Sequence, residues 1–113
     1  MRDPATDAVV PLVHAVVAGD SMTPTLRDGD RLLARRIDDA GALRPGTVVV
    51  VRRPDRPALV LVKRLVRRDG DGWWVEGDNA ARSDDSRTFG AVPDALVLAR
   101  VLARWWPRPR RVR

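Results

Sequence analysis

The sequence predicts a single, mainly β domain, a small barrel or sandwich built from short strands. Three observations carry this. The chain has 113 residues, room for one domain and no second. Hydrophobic residues make up 44% of it, enough for a packed core. Its apolar runs are short and rich in valine, and Gly, Pro and Asp turn signals separate them at regular intervals.

The elements follow in order. Val13 to Val17 is a first apolar run, and Arg31 to Ile37 follows the turn signal Asp28-Gly29-Asp30. Val48-Val49-Val50-Val51 is β-branched, too short for a helix, and bounded by Pro45-Gly46 and Pro54. Ala58 to Val66 runs from Pro57 to the turn Asp69-Gly70-Asp71-Gly72, and Trp73 to Glu76 comes next. Leu96 to Trp106 fits two patterns. Arg100 and Arg104 stand four apart as on a helix face, while Val97, Ala99, Val101, Ala103 and Trp105 alternate as in a strand. Adjacent tryptophans on a strand point to opposite faces, so Trp73-Trp74 and Trp105-Trp106 each offer one ring to the core and one to the rim.

Composition narrows the chemistry. The absence of cysteine excludes disulfides, thiolate zinc sites and cysteine nucleophiles. A lone histidine, His14, leaves a Ser-His triad only if that residue is its base. No His/Asp/Glu cluster at ligand spacing stands out, so no metal and no cofactor is expected. The net charge is +6, and Arg108, Arg110, Arg111 and Arg113 crowd a basic tail over residues 108–113, which reads as solvated. The apolar stretch Ala8 to Ala18 is about half of the roughly 20 residues that cross a bilayer, and Pro11 and His14 interrupt it. Asp3 and Asp7 offset Arg2 where a signal peptide would be positive. The expectation is a soluble, cytoplasmic protein without a transmembrane segment, with peripheral membrane contact left open.

Three segments can carry chemistry. In Gly19-Asp20-Ser21-Met22-Thr23-Pro24-Thr25-Leu26, a serine follows an apolar run on a turn constrained by glycine and proline. Such a turn exposes a hydroxyl and aims backbone N–H groups at one point, although a plain loop serine has the same pattern. A serine hydroxyl needs a base. Lys63 is the only lysine in the chain, and unlike arginine it gives up its proton when buried. On a strand, Leu59, Leu61, Lys63 and Leu65 share one apolar face, where desolvation lowers a lysine pKa. The third segment, Gly77 to Gly90, is rich in Asx and Ser and reads as a hydrogen-bonded loop in which Asp85 and Arg87 can pair.

Together these segments resemble the motif set of the signal peptidase I family of serine proteases, in family order over about residues 15 to 107. Ser21 to Leu26 resembles its nucleophile motif, and Lys63-Arg64-Leu65-Val66 its general-base motif. Gly29 to Leu33 and Arg44 to Val49 resemble the two strand motifs between them. Gly77-Asp78-Asn79 through Ser83-x-Asp85-Ser86-Arg87 to Gly90 resembles its final box. The resemblance implies a coiled, barrel-like β domain with residues 1–14 as lead-in, 15–107 as the catalytic domain and 108–113 as the tail. It implies Ser21 as nucleophile, Lys63 as base, the Ser21 N–H as one oxyanion donor and Ser83 as the support of the lysine. Asp85 and Arg87 match the structural ion pair. Gly19 stands where a second oxyanion donor is often a serine, so only its backbone can serve.

Arginine-rich composition, Asp69 to Asn79 and the closing Trp105-Trp106-Pro107 resemble a short branch of this family, the nickel-type superoxide dismutase maturation proteases. The substrate this implies is a nickel superoxide dismutase precursor with an N-terminal prosequence. General signal peptidase processing of secreted preproteins is the alternative within the family. Gly19 to Met22 and Val62 to Leu65 also match self-cleaving LexA-type repressors, which need an upstream DNA-binding domain and cleavage loop. A basic β-barrel that binds nucleic acid through tryptophans and arginines is the alternative of another class, although no nucleic-acid partner is expected.

Overall fold

The computed structural model describes residues 12–113. Among these, eight strands form one antiparallel sheet: β1 (Leu12–Val16), β2 (Arg31–Arg36), β3 (Val48–Arg53), β4 (Arg56–Asp69), β5 (Gly72–Glu76), β6 (Val92–Pro93), β7 (Val97–Trp106) and β8 (Arg110–Arg111). The strand order is β1-β2-β7-β3-β4-β5-β6, with β8 added to β7. One short helix, α1 (Ser86–Phe89), and three single 3-10 turns complete the described chain. The mainly β expectation stands. The part of the apolar stretch before Leu12 lies outside the described residues.

The valine run explains the centre of the molecule. A strand with one wet face alternates apolar and polar residues, whereas one covered on both faces reads as continuously apolar. On β3, Val48 and Val50 join a first core with Val17, Met22, Leu26, Leu32, Ala34, Ala99 and Val101. Val49 and Val51 point the other way, into a second core with Leu65, Trp73, Val75, Val92 and Val97. The sheet therefore coils so that β3 divides two cores.

Local chemistry sets the turns. Gly70 lies at φ 57° in the connection that closes the β4–β5 hairpin, where Asp69 pairs with Gly72. In that hairpin Leu65 pairs with Val75 and Arg67 with Trp74, so Val66 is the extra residue of a bulge. Trp73 is buried with its indole N–H donating to the Ala40 carbonyl (2.8 Å), which satisfies the one polar atom it takes inside.

Pairing decides what the sequence left open. Val97–Trp106 is strand, with Leu96 ending a 3-10 turn before it: the strand pairs with β2 and β3, and that pairing satisfies the alternating pattern rather than the four-residue spacing of its arginines. The apolar face of β4 holds over Leu61, Lys63 and Leu65, but Leu59 is 39% exposed, in the irregular stretch of the β3–β4 pairing between Arg56 and Val60. The sheet also takes in Leu12 to His14, which pair with β2, and Arg110–Arg111, which pair with β7. Val112 packs against the first core, so the end of the chain is docked.

Candidate active site

Ser21 lies on a tight turn between β1 and β2, held without regular secondary structure. Thr23 N–H donates to the Asp20 carbonyl (3.1 Å) and Leu26 N–H to that of Met22 (2.9 Å). Met22 and Leu26 are fully buried in the first core and pin the turn from beneath. From above, Asn79 N–H donates to the Ser21 carbonyl (2.8 Å), and its side-chain amide donates to the Asp20 carbonyl (3.2 Å). The backbone is thus fixed while the hydroxyl stays available.

Lys63 comes from β4, opposite Val49 of β3. It is 3% exposed, and its Nζ is 2.8 Å from Ser21 Oγ and 3.2 Å from Ser83 Oγ. Burial pulls its pKa below the ordinary lysine range. Asp85 and Asp84 oppose that shift, and the Arg87 charge adds to it.

Asp85 organises the rest. Its side chain is completely buried. It accepts from Ser83 Oγ (2.6 Å), Gly77 N–H (2.9 Å), Arg87 N–H (3.1 Å) and the Arg87 guanidinium (2.6 and 2.9 Å). Burial pushes this carboxyl up, but the bonds from Arg87, Ser83 and the two backbone N–H groups outweigh it and hold it well below the usual carboxylate range. These bonds also orient Ser83. Its hydroxyl proton goes to Asp85, so its lone pairs face Lys63 Nζ, which donates to it. The lysine is steered by that donation, and the nitrogen lone pair of its neutral form is left for the Ser21 hydroxyl.

Five of the residues singled out in the sequence, Ser21, Lys63, Ser83, Asp85 and Arg87, therefore form one connected cluster. Gly19 does not join it. At φ +84° its N–H donates to Asp28 Oδ1 (2.7 Å). The Ser21 N–H donates to no group among the described residues. His14 is elsewhere, packed edge-to-face on Trp105 with ring centroids 5.9 Å apart.

Sequence reasoning missed two supports. Arg64, next to the lone lysine, makes a two-bond pair with Asp78 (both 2.8 Å), and Asp78 also accepts from the Thr25 hydroxyl, tying the Lys63 strand to the Ser21 turn. Only the basic residue beside Lys63 and the acid beside Gly77 signalled it. The other is Gly77 itself. A Cβ there would sit 2.5 Å from the Ser21 carbonyl oxygen and 2.7 Å from Ser83 Cβ, so glycine is what lets the two serine segments meet.

An open groove of about 590 Å³ lies between β1, which leads toward Ser21, and the part of β4 before Lys63. Its walls include Val13, Ala15, Val50, Val62 and Ala99. Among the described residues β1 pairs only with β2, and β4 before Arg64 only with β3, which leaves one edge of each of these stretches without a described strand partner.

A protein-family model described as peptidase S24-like matches residues 8–92. The chain belongs to the peptidase S24-like family. It is 32% identical to mitochondrial inner membrane protease subunit 1 of Xenopus tropicalis, over 81% of this chain and 68% of that protein. It is 35% identical to mitochondrial ATP-independent inner membrane protease subunit 1a of Arabidopsis thaliana, over 80% and 68%. With inner membrane protease subunit 1 of Schizosaccharomyces pombe the identity is 34%, over 83% and 73%. This S24-like peptidase is thus a hydrolase of the signal-peptidase-like kind. None of these three relatives is named for nickel superoxide dismutase maturation. No described helix of the peptidase is long and apolar enough to cross a membrane.

Proposed function

We propose that this protein is a serine endopeptidase working through a Ser21–Lys63 dyad, and that it removes the N-terminal prosequence of a nickel superoxide dismutase precursor. The observation that carries the dyad is the 2.8 Å contact between Ser21 Oγ and the buried Lys63 Nζ. In its neutral form Lys63 takes the Ser21 proton as Oγ bonds to the scissile carbonyl carbon. The Ser21 N–H is the donor offered to the developing oxyanion. Lys63 then gives the proton to the departing amine as the peptide C–N bond breaks, leaving an acyl-serine. Water, deprotonated by Lys63, attacks that ester and Ser21 leaves with the proton. Ser83 keeps the lysine pointed at Ser21 throughout, and Asp85 with Arg87 keeps Ser83 in place.

Substrate is accepted as an extended segment in the groove, hydrogen-bonding to one or both free edges. An unstructured prosequence suits this mode, because no folded element must open. The nickel superoxide dismutase assignment draws on Asp69 to Asn79, Trp105-Trp106-Pro107 and the arginine-rich composition. The names of the relatives favour a second reading, processing of a preprotein at a membrane. Purified protein and purified precursor, mixed without membranes, are expected to yield mature dismutase with histidine at its new N-terminus, detected by intact mass and N-terminal sequencing. If the precursor stays whole while a secretory preprotein is trimmed in the presence of lipid, the second reading replaces the first.

A further inference from the structure

The basic segment after the tryptophans reads in the sequence as a solvated tail, and the structure docks it instead. In β8, Arg110 pairs with Arg104 of β7 and Arg111 with Ala103. The Val112 N–H then donates to the Leu102 carbonyl (3.1 Å), and the half-buried Val112 side chain packs on the first core. That core holds Met22 and Leu26, the two anchors of the Ser21 turn, and Val112 borders one hollow together with Thr25 and Leu26. Arg104 secures the approach. Its Nε donates to the Arg108 carbonyl (3.0 Å), and its Nη1 lies 3.5 Å from Asp30 Oδ2. Asp30 also accepts from the Arg27 N–H (2.9 Å), where the loop that carries Ser21 ends.

The same segment meets the other half of the site through Arg64. Arg64 Nε and Nη2 form the fork on Asp78, and Nη1 donates to the carbonyls of Gly46 (2.7 Å) and Arg113 (3.0 Å). A guanidinium is planar and rigid, so fixing Nη1 fixes the plane in which the fork meets Asp78. Asp78 stands between Gly77, whose close approach sets Ser21 beside Ser83, and Asn79, whose N–H donates to the Ser21 carbonyl. Residues 110–113 thus reach the Ser21 turn through the core and the Lys63 strand through Arg64.

We propose that residues 110–113 are a positioning strap for the active site, with Val112 as its anchor and the Arg113 carbonyl as its grip on Arg64. Releasing the strap would let Arg64 tilt, lift the Gly77–Asn79 stretch from Ser21 and admit water to Lys63. Its effect on turnover rests on the Ser21–Lys63 reading; its effect on the surroundings of Lys63 does not.

Lys63 is the only lysine, so the full chain labelled isotopically at lysine Cε gives one side-chain resonance whose pH titration reports that amine alone. Asp85, Asp84 and Arg87 are the charges that bear on Lys63, and none belongs to the strap, so a neutral change at Val112 acts through burial. Val112→Ser is expected to move the midpoint up, by about half a pH unit or more, toward the roughly 10.4 of a free lysine. With a peptide substrate, kcat should fall about threefold to tenfold with KM little changed, the loss of one weakened orienting contact. Val112→Ile should keep both at wild-type values, and so should Arg113→Ala, which retains the carbonyl. If circular dichroism shows Val112→Ser unfolded, Val112→Ala carries the same test. An unmoved midpoint, a loss confined to KM, an Arg113→Ala variant that behaves like Val112→Ser, or unfolding of both polar and alanine variants would each overturn the strap. Cleavage that survives Ser21→Ala would overturn the dyad instead, and the titration would still decide on the strap.

Discussion

The two halves of the proposed dyad are held by different physics. Lys63 belongs to a strand whose neighbours fix it by register: Val49 stands opposite on β3, and Arg64 pairs with Glu76 of β5 one residue later. Ser21 belongs to a turn with no ladder at all, fixed by two buried side chains below and by Asn79 above. Burying Met22 and Leu26 contributes about 1.5–3 kcal/mol each, whereas a typical hydrogen bond contributes about 0.5–1.5 kcal/mol. The apolar anchors thus hold the turn in place, and the hydrogen bonds aim it. In the proposed dyad, burial in a rigid frame keeps the lysine pKa low, and the turn keeps the serine hydroxyl open to substrate.

The largest effects should come from breaking the dyad itself. Ser21→Ala and Lys63→Ala are each expected to lower kcat/KM by about a thousandfold or more, since the members of such a unit fail together. Lys63→Arg should be as inactive, because a guanidinium cannot accept the proton. The base half should nevertheless gain stability when its charge is removed. The pKa of folded Lys63 is lowered by burial, so below that pKa the native state carries the cost of an ammonium held in the core. That cost fades as pH rises through the folded pKa. Lys63→Met is therefore expected to be inactive yet more stable at neutral pH by about 1 kcal/mol, read from thermal or urea unfolding. A destabilised Lys63→Met would show that the strand frame depends on the amine.

Gly77→Ala joins the two halves in one test. Its Cβ would force apart Ser21 and Ser83, so activity should fall about a hundredfold or more, with a lowered Tm. Normal kinetics in this variant would mean the contact is looser than described. Ser83→Ala is gentler. It removes one orienting hydrogen bond, about 1–1.5 kcal/mol, so kcat should drop about tenfold with KM little changed. Loss as deep as that of Ser21→Ala would require the two serines to exchange roles.

The same contrast explains what the sequence disclosed. Regular elements announce themselves through periodicity, so the valine run of β3 and the glycine turns are legible in the sequence alone. Leu61, Lys63 and Leu65 were also legible as one face, because a strand alternates whatever surrounds it. Leu59 is not, since it sits in the irregular stretch of the β3–β4 pairing, a feature that alternation alone does not reveal. The helical spacing of Arg100 and Arg104 competed with alternation in β7, and cross-strand pairing on both sides decided for strand. On the nucleophile side the motif located Ser21 but not its supports. Asp28 capturing the Gly19 N–H and Asp78 bridging Arg64 to Thr25 are contacts between residues distant in sequence, set by how the loops fold back. Asp85 and Arg87 are legible as a pair because opposite charges stand two residues apart in one short polar segment.

The most direct test of the account is the pH dependence of kcat/KM for a cleaved peptide, in the wild type and in His14→Gln. The account predicts a rising limb with its midpoint below the roughly 10.4 of a free lysine, unchanged when the lone histidine is replaced. A flat profile, or a rising limb that disappears in His14→Gln, would contradict Lys63 as the base.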